Sequence, residues 1–293
     1  MIPMGNKRLL ILLTIIYIFF QILNTLLIEE LTESGLKGHV ILIARSVVCL
    51  TISFTLAYYK RQNILPQKIK TQYLRLVLSG CGLLLITQSY QYLSATSVAA
   101  FQRLDIAFIA FISIIIGRYK FYDKILFIIA NGLTVACIIT LSRSIEEQPT
   151  GYFLALAGVL LISISNFLVK KTALEENFFV FVNTACISCI VIGLCFGFFR
   201  GLDFEFSVRQ IIGLFLSGVS MFGLYFCLME FYKRFTIEKA QYPSVVAAFL
   251  ILFVEMIVEQ KWFSPLFILL NILLLIIITL TIKQKTITIV EQR

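Results

Sequence analysis

Apolar residues run through this chain in long blocks separated by short polar breaks. Runs long enough to cross roughly 30 Å of hydrocarbon fall at about 8–28, 38–59, 73–93, 96–117, 122–141, 150–170, 178–200, 209–231, 239–259 and 264–282. Leu, Ile and Phe fill them without the short alternating pattern of barrel strands. The pattern predicts ten transmembrane helices and an all-α integral membrane protein. The first run follows a basic start, as in a signal peptide. It is too long for a signal core and has no small-residue cleavage site, so it is expected to be retained as the first span.

Composition agrees with lipid as the solvent: 59% of the 293 residues are hydrophobic and only 14% charged, against about a quarter charged in soluble domains. The net charge of +9 sits in short loops, with no basic stripe, which argues against a nucleic-acid partner. Those loop charges orient the chain. With the N-terminus inside, 18 basic residues, Arg75 among them, fall on the cytoplasmic side. Lys37, Arg143, Arg200, Arg209 and Lys261 fall outside, and Arg45 and Arg103 lie within spans. Both termini are therefore expected in the cytoplasm.

Five spans followed by five start the second half from the opposite face, so the halves are expected to be inverted repeats, 1–145 and 146–293, within one transmembrane domain. "SATSVAAFQRLDIAFIAFISIIIGRYKF" (94–121) aligns without a gap on "TIEKAQYPSVVAAFLILFVEMIVEQKWF" (236–263), an offset of 142 residues. Polar positions inside the spans repeat as well. Gln21 and Asn24 of the first span answer to Asn166 of the sixth. Arg45 of the second answers to Asn183 of the seventh, and Gln88 and Gln91 of the third to Glu230 of the eighth. Gln102, Arg103 and Asp105 of the fourth answer to Gln241 and Tyr242 of the ninth. These are the expected pathway residues for a small-molecule substrate. Asn131 and Asn271 are single amides in the fifth and tenth spans, expected to bond a neighbouring helix.

Arg103 and Asp105 cannot share a helix face, because residues two apart point about 200° apart. Arg45 and Arg103 each lie about 10 Å from the outer end of their spans, at 1.5 Å per residue. Two readings stay open: a fixed Arg45–Asp105 pair joining the second and fourth spans, or an arginine facing the pathway and binding an anionic group. The two combine in one expectation, with Asp105 on Arg45 and Arg103 left to the cavity or a separate partner. Glu255 is a candidate coupling carboxylate or a hydrogen-bonded interfacial glutamate. His39, the only histidine, is expected in the loop at the outer mouth.

Ten spans in two inverted halves, with "TSVAAFQRLDIAFIAFISIIIGRYKF" and "AQYPSVVAAFLILFVEMIVEQKWF" as fourth and ninth, resemble the drug/metabolite transporter superfamily, most closely its EamA-type branch. The likeness covers essentially the whole chain. Arg45 in "ILIARSVVCL" matches an arginine often seen in that family's second helix, and Glu259 in "IVEQ" an acidic residue that commonly ends the ninth. Two features depart from the family pattern. Gly117-Arg118 replaces the usual Gly-Glu, and Ala107 or a neighbour stands where a proline is common. The resemblance implies a cavity among helices 1–4 and 6–9, helices 5 and 10 at the periphery, and alternating access. The expected function is secondary transport of a small anionic or zwitterionic metabolite in a bacterial cytoplasmic membrane. A nucleotide-sugar or phosphorylated-metabolite exchanger is the alternative, ahead of a lipid flippase or an intramembrane enzyme.

Little points to catalysis. GxxxxGK[ST], HExxH and GxSxG are absent. The seven cysteines lie within apolar spans, Cys186 and Cys189 as a CxxC with no second pair or histidine nearby, which reads as free packed thiols. No metal or cofactor is expected. The fifth and tenth spans, apolar almost all round, suit lipid or a second protomer, so a homodimer through them is expected. Reporter fusions at the C-terminus should report the cytoplasm, and an external readout would overturn both the orientation and the even span count.

Overall fold

The computed structural model describes residues 4–64, 66, 69–115, 148–235, 240, 242–258 and 264–273, with isolated positions at 129, 132–133, 136 and 276. It is helical throughout, with no strand among the described residues. The helices are α1 (Met4–Glu33), α2 (Gly38–Tyr59), α3 (Ile69–Ser89), α4 (Ala95–Gln102), α5 (Leu104–Ile115), α6 (Pro149–Glu175), α7 (Phe178–Arg200), α8 (Val208–Arg234) and α9 (Tyr242–Val258). A further helical stretch covers 265–273. Among the described residues, five segments are long and apolar enough to cross a membrane: Ile11–Glu33, Gly38–Tyr59, Pro149–Val169, Phe178–Arg200 and Val208–Arg234. They fit a multi-pass membrane protein. The predicted fifth span lies almost wholly outside the described residues.

Local chemistry sets the helix ends. After α1, Gly35 takes φ +92°, Gly35 N–H bonds Thr32 O and Leu36 N–H bonds Leu31 O. This is a Schellman stop, which needs the left-handed backbone that glycine adopts at little cost. Ser94, Asn177 and Ser207 cap α4, α7 and α8 by accepting from the N–H three residues on, and Gln210 closes a capping box at α8. The predicted fourth span is two helices. It breaks at Arg103, whose N–H bonds Ala100 O three residues back in place of the four-residue helical bond. No proline is involved.

The polarity of the bundle runs opposite to that of a soluble protein. Phe153, Phe198 and Phe199 are 74%, 82% and 84% exposed, while Thr25, Ser46, Arg75 and Asn183 are buried to 1% or less. An apolar periphery around a polar interior is stable only with lipid outside. Two buried apolar clusters bracket that interior. One gathers Leu13, Tyr17, Phe181, Met229 and Phe231. The other gathers Ile28, Leu36, Ile86, Val98, Phe101 and Ile251.

Helices pack mainly across the chain's midpoint: α1 on α8, α2 on α7 and α8, α3 on α6 and α7, α5 on α6, and α4 and α1 on α9. At the α3–α6 crossing two glycines face each other. A Cβ at Gly82 would lie 2.9 Å from Gly158 O, and one at Gly158 2.9 Å from Gly82 O. Because backbone meets backbone, the clash cannot be relieved by a side-chain rotation. Gly82→Ala and Gly158→Ala should each lower stability in detergent by about 1–3 kcal/mol, the usual cost of overpacking. Gly132→Ala, whose added methyl would meet no atom of the described residues within 4 Å, should not.

Candidate functional site

Four helices each present one stripe of residues to a shared cavity. On α1 the stripe is Tyr17, Gln21, Asn24 and Ile28, and on α3 it is Ser79, Leu83, Ile86, Thr87 and Tyr90. On α6 it is Val159, Ile162 and Asn166, and on α8 Met221, Leu224, Tyr225 and Leu228. These three- and four-residue steps keep one helix face inward. Arg45 of α2, Gln102 of α4, Asp105 of α5 and Ser244 of α9 complete the wall, enclosing about 180 Å³.

Many of these residues come in pairs at one constant separation. Positions 17 and 159, 24 and 166, 79 and 221, 83 and 225, 86 and 228, and 102 and 244 are each 142 residues apart. That is also the offset at which 94–121 aligns on 236–263.

The charged groups of the cavity are held by amides. Arg45 Nη1 donates to Asn24 Oδ1 at 3.3 Å, and Ser217 Oγ donates to the same oxygen at 3.3 Å. Asn166 Nδ2 donates to Asp105 Oδ2 at 2.9 Å. Gln21 Nε2 donates to Gln102 Oε1 at 3.2 Å. Arg45 and Asp105 are 3% and 8% exposed. Arg45 Nε and Asp105 Oδ1 have no hydrogen-bond partner among the described residues. The Ser163 hydroxyl lies within hydrogen-bonding reach of both Asp105 and Val159 O, 2.8 Å from the latter. The hydroxyl of Tyr225 is also without a partner among the described residues.

Two expectations about these charges are corrected. Asp105 does not pair with Arg45; each takes an asparagine on the helix packed beside it. Arg103 does not line the cavity. It is buried at the α4–α5 break, and its Nη1 donates to Asn271 Oδ1, so the amide in the tenth span does bond a neighbouring helix.

Gln88, Gln91, Asn183 and Glu230 also lie away from the cavity. Gln88 donates Nε2 to His39 Nδ1 at 3.1 Å, and His39 Nε2 meets Gly201 O at 3.1 Å. A carbonyl can only accept, so the proton is on Nε2. His39 is thus a buried bridge at the start of α2 and not a loop residue. Gln91 is exposed in the turn after α3. Asn183 is buried with neither amide atom hydrogen-bonded among the described residues. Gln241 lies outside the described residues, and Tyr242 is the first residue of α9. Glu230 pairs with Lys233 and Arg234 at the end of α8.

Glu255 is buried and accepts from Thr96 N–H at 2.5 Å, while Glu29, not singled out in the sequence, accepts from Ala95 N–H at 2.7 Å. These two N–H groups open α4, so both carboxylates sit at its positive end. Arg75, counted with the cytoplasmic-side charges, is 1% exposed within α3. It donates to Thr184 Oγ1 at 3.0 Å and lies 4.6 Å from the centre of the Phe181 ring. The tyrosines of the wall were missed, although Tyr17 lies four residues before Gln21 on the same face of α1 and was legible by spacing alone.

No family model and no curated protein matches the chain. Twenty-eight chains of solved structures do. One, a crystal structure described only as that of a protein, superposes with a TM-score of 0.71 over 92% of this chain and 94% of its own, at 11% identity. The likeness shows a shared fold.

Arg103→Ala should act on folding. Losing a hydrogen bond from a buried cation costs about 1.5–3 kcal/mol. The expected result is lower thermal stability with ligand affinity unchanged in the folded fraction, and a stable variant with weakened binding would contradict it.

Proposed function

We propose that the chain is a secondary transporter of a small zwitterionic metabolite, built of two inverted five-helix halves with both termini in the cytoplasm of a bacterial cell. It carries its substrate across unchanged by alternating access. One observation carries the substrate reading: Arg45 and Asp105 face one small cavity, and each is held by an asparagine instead of by the other. An amide supports a charge without neutralising it. A molecule with a carboxylate and an ammonium group would meet both charges.

Two findings support the inverted repeat. Packing partners exchange when the halves are exchanged: α3 on α6 mirrors α8 on α1, α2 on α8 mirrors α7 on α3, and α5 on α6 mirrors α9 on α1. The cavity wall pairs at a constant 142 residues, with Asn24 and Asn166 in equivalent places. A site on the axis between two such halves is the arrangement of alternating-access carriers. The resemblance to EamA-type transporters agrees with this reading.

Proteoliposomes loaded with a labelled small zwitterion test the proposal, alongside analogues lacking the ammonium or the carboxylate. The intact protein should prefer the zwitterion. Arg45→Gln should lose the contribution of the carboxylate and Asp105→Asn that of the ammonium, each by about 10- to 100-fold, as for a hydrogen bond to a charged group. Folded variants with unchanged selectivity would refute the assignment of these two residues.

A further inference from the structure

A second recess lies outside the central cavity, between the end of α1 and the start of α8, with a volume of about 620 Å³. Ile28 of α1 faces the central cavity, whereas Leu27 and Leu31 face this crevice, so α1 stands between the two. The crevice is amphipathic. Leu27, Leu31, Ile212 and Leu216 make its apolar part, and Glu30, Glu33 and Arg209 its charged rim.

Its position defines its surroundings. The candidate spans Ile11–Glu33 and Val208–Arg234 both end here, one at its last residue and the other at its first. The leucines therefore lie at the edge of the hydrocarbon and the charges at the depth of lipid headgroups. The rim is held in shape: Gln210 Nε2 donates to Ser34 O and Oγ at 3.2 and 3.1 Å. The start of α8 is occupied by its own Ser207–Gln210 capping box, so anion recognition here falls to a side chain. Arg209 gives Nε and Nη2 to one oxygen of Glu30, Oε1, at 2.9 and 2.5 Å. Its Nη1 and Glu30 Oε2 take no part in that pair.

We propose that this crevice binds a phospholipid with a primary-ammonium headgroup, of the phosphatidylethanolamine type. The first carbons of an acyl chain lie on the leucines and isoleucine, the phosphate meets Arg209, and the ammonium meets Glu33 and Glu30. Charge complementarity selects this occupant. Two carboxylates against one guanidinium leave the rim net negative, which disfavours an anionic lipid. Two carboxylates three residues apart on α1 suit a headgroup with three N–H donors over a quaternary one with none. The inference rests on the membrane-crossing character of α1 and α8 and is independent of transport.

The test uses full-length protein stripped of lipid in detergent, with phosphatidylethanolamine, phosphatidylcholine or phosphatidylglycerol of identical chains added back. A ligand of the native state raises the unfolding midpoint by mass action. The midpoint should rise most with phosphatidylethanolamine and least with phosphatidylglycerol. Glu33→Gln should abolish the preference for ethanolamine over choline, and Arg209→Gln should reduce the response to both. Soluble phosphoethanolamine should produce no shift, since it lacks the chains. Native mass spectrometry of the unaltered protein, which needs no variant to fold, should retain phosphatidylethanolamine over phosphatidylcholine. Equal responses to the ethanolamine and choline lipids, a preference that survives in Glu33→Gln, or an equal shift with soluble phosphoethanolamine would each overturn the proposal.

Discussion

Hydrocarbon offers no donors and no acceptors, so each charge carried into the bundle has to find its partner there. Placing an arginine or aspartate at a helix centre costs roughly 2.5–3.5 kcal/mol on insertion scales, and this chain meets that cost in three ways. Arg45, Arg103 and Asp105 are held by asparagines. Arg75 is held by a hydroxyl and an aromatic face. Glu29 and Glu255 are held by the backbone N–H groups that open α4. Each solution puts the charge inside and leaves the phenylalanines to lipid.

Where these ties run bears on motion. Asp105–Asn166, Arg75–Thr184, Gln72–Glu176, Arg103–Asn271 and Thr96–Glu255 join residues of the first half to residues of the second. Arg45–Asn24, Gln21–Gln102 and Ala95–Glu29 stay within the first. If the halves rock against each other, as the proposed carrier requires, the first group has to remake its bonds while the second travels as a unit. Arg45 would then keep its asparagine through the cycle, and Asp105 would exchange its own. That difference suits a site in which one charge stays fixed and the other changes with the side to which the cavity opens.

Amide clamps also explain how two opposite charges stay available in one small space. A direct ion pair would satisfy both partners, and a ligand would have to break it at the cost of stranding them. An asparagine satisfies one lone pair or one N–H and leaves the remaining valences open. Asn24 divides its oxygen between Arg45 and Ser217, which weakens its hold on either. The cavity is thus charged but not neutralised, whereas its aromatic and aliphatic wall keeps it narrow.

Much of the fold was legible in the sequence because membrane helices are selected by length and apolarity, both local properties. Gly38–Tyr59 and Phe178–Arg200 match their predicted windows residue for residue. The 142-residue offset seen in one pair of segments recurs across the cavity wall. Of the predicted pathway residues, Gln21, Asn24, Arg45, Gln102, Asp105 and Asn166 do meet in one cavity. Their partners were not legible. Spacing along a helix gives direction and depth, but it does not say which neighbouring helix stands opposite. Arg45 and Asp105 at matching depths therefore suggested a pair that packing does not make. Arg103 was among the expected pathway residues, but its guanidinium goes to Asn271, a partner that spacing could not name. Gln88 falls beside its helix's inward stripe and is spent on His39. Sequence alone determined where the long apolar helices run and which polar residue types they carry inside. Only the tertiary structure decided which charge meets which amide, because in a medium without water that choice is made by whichever helix happens to be the neighbour.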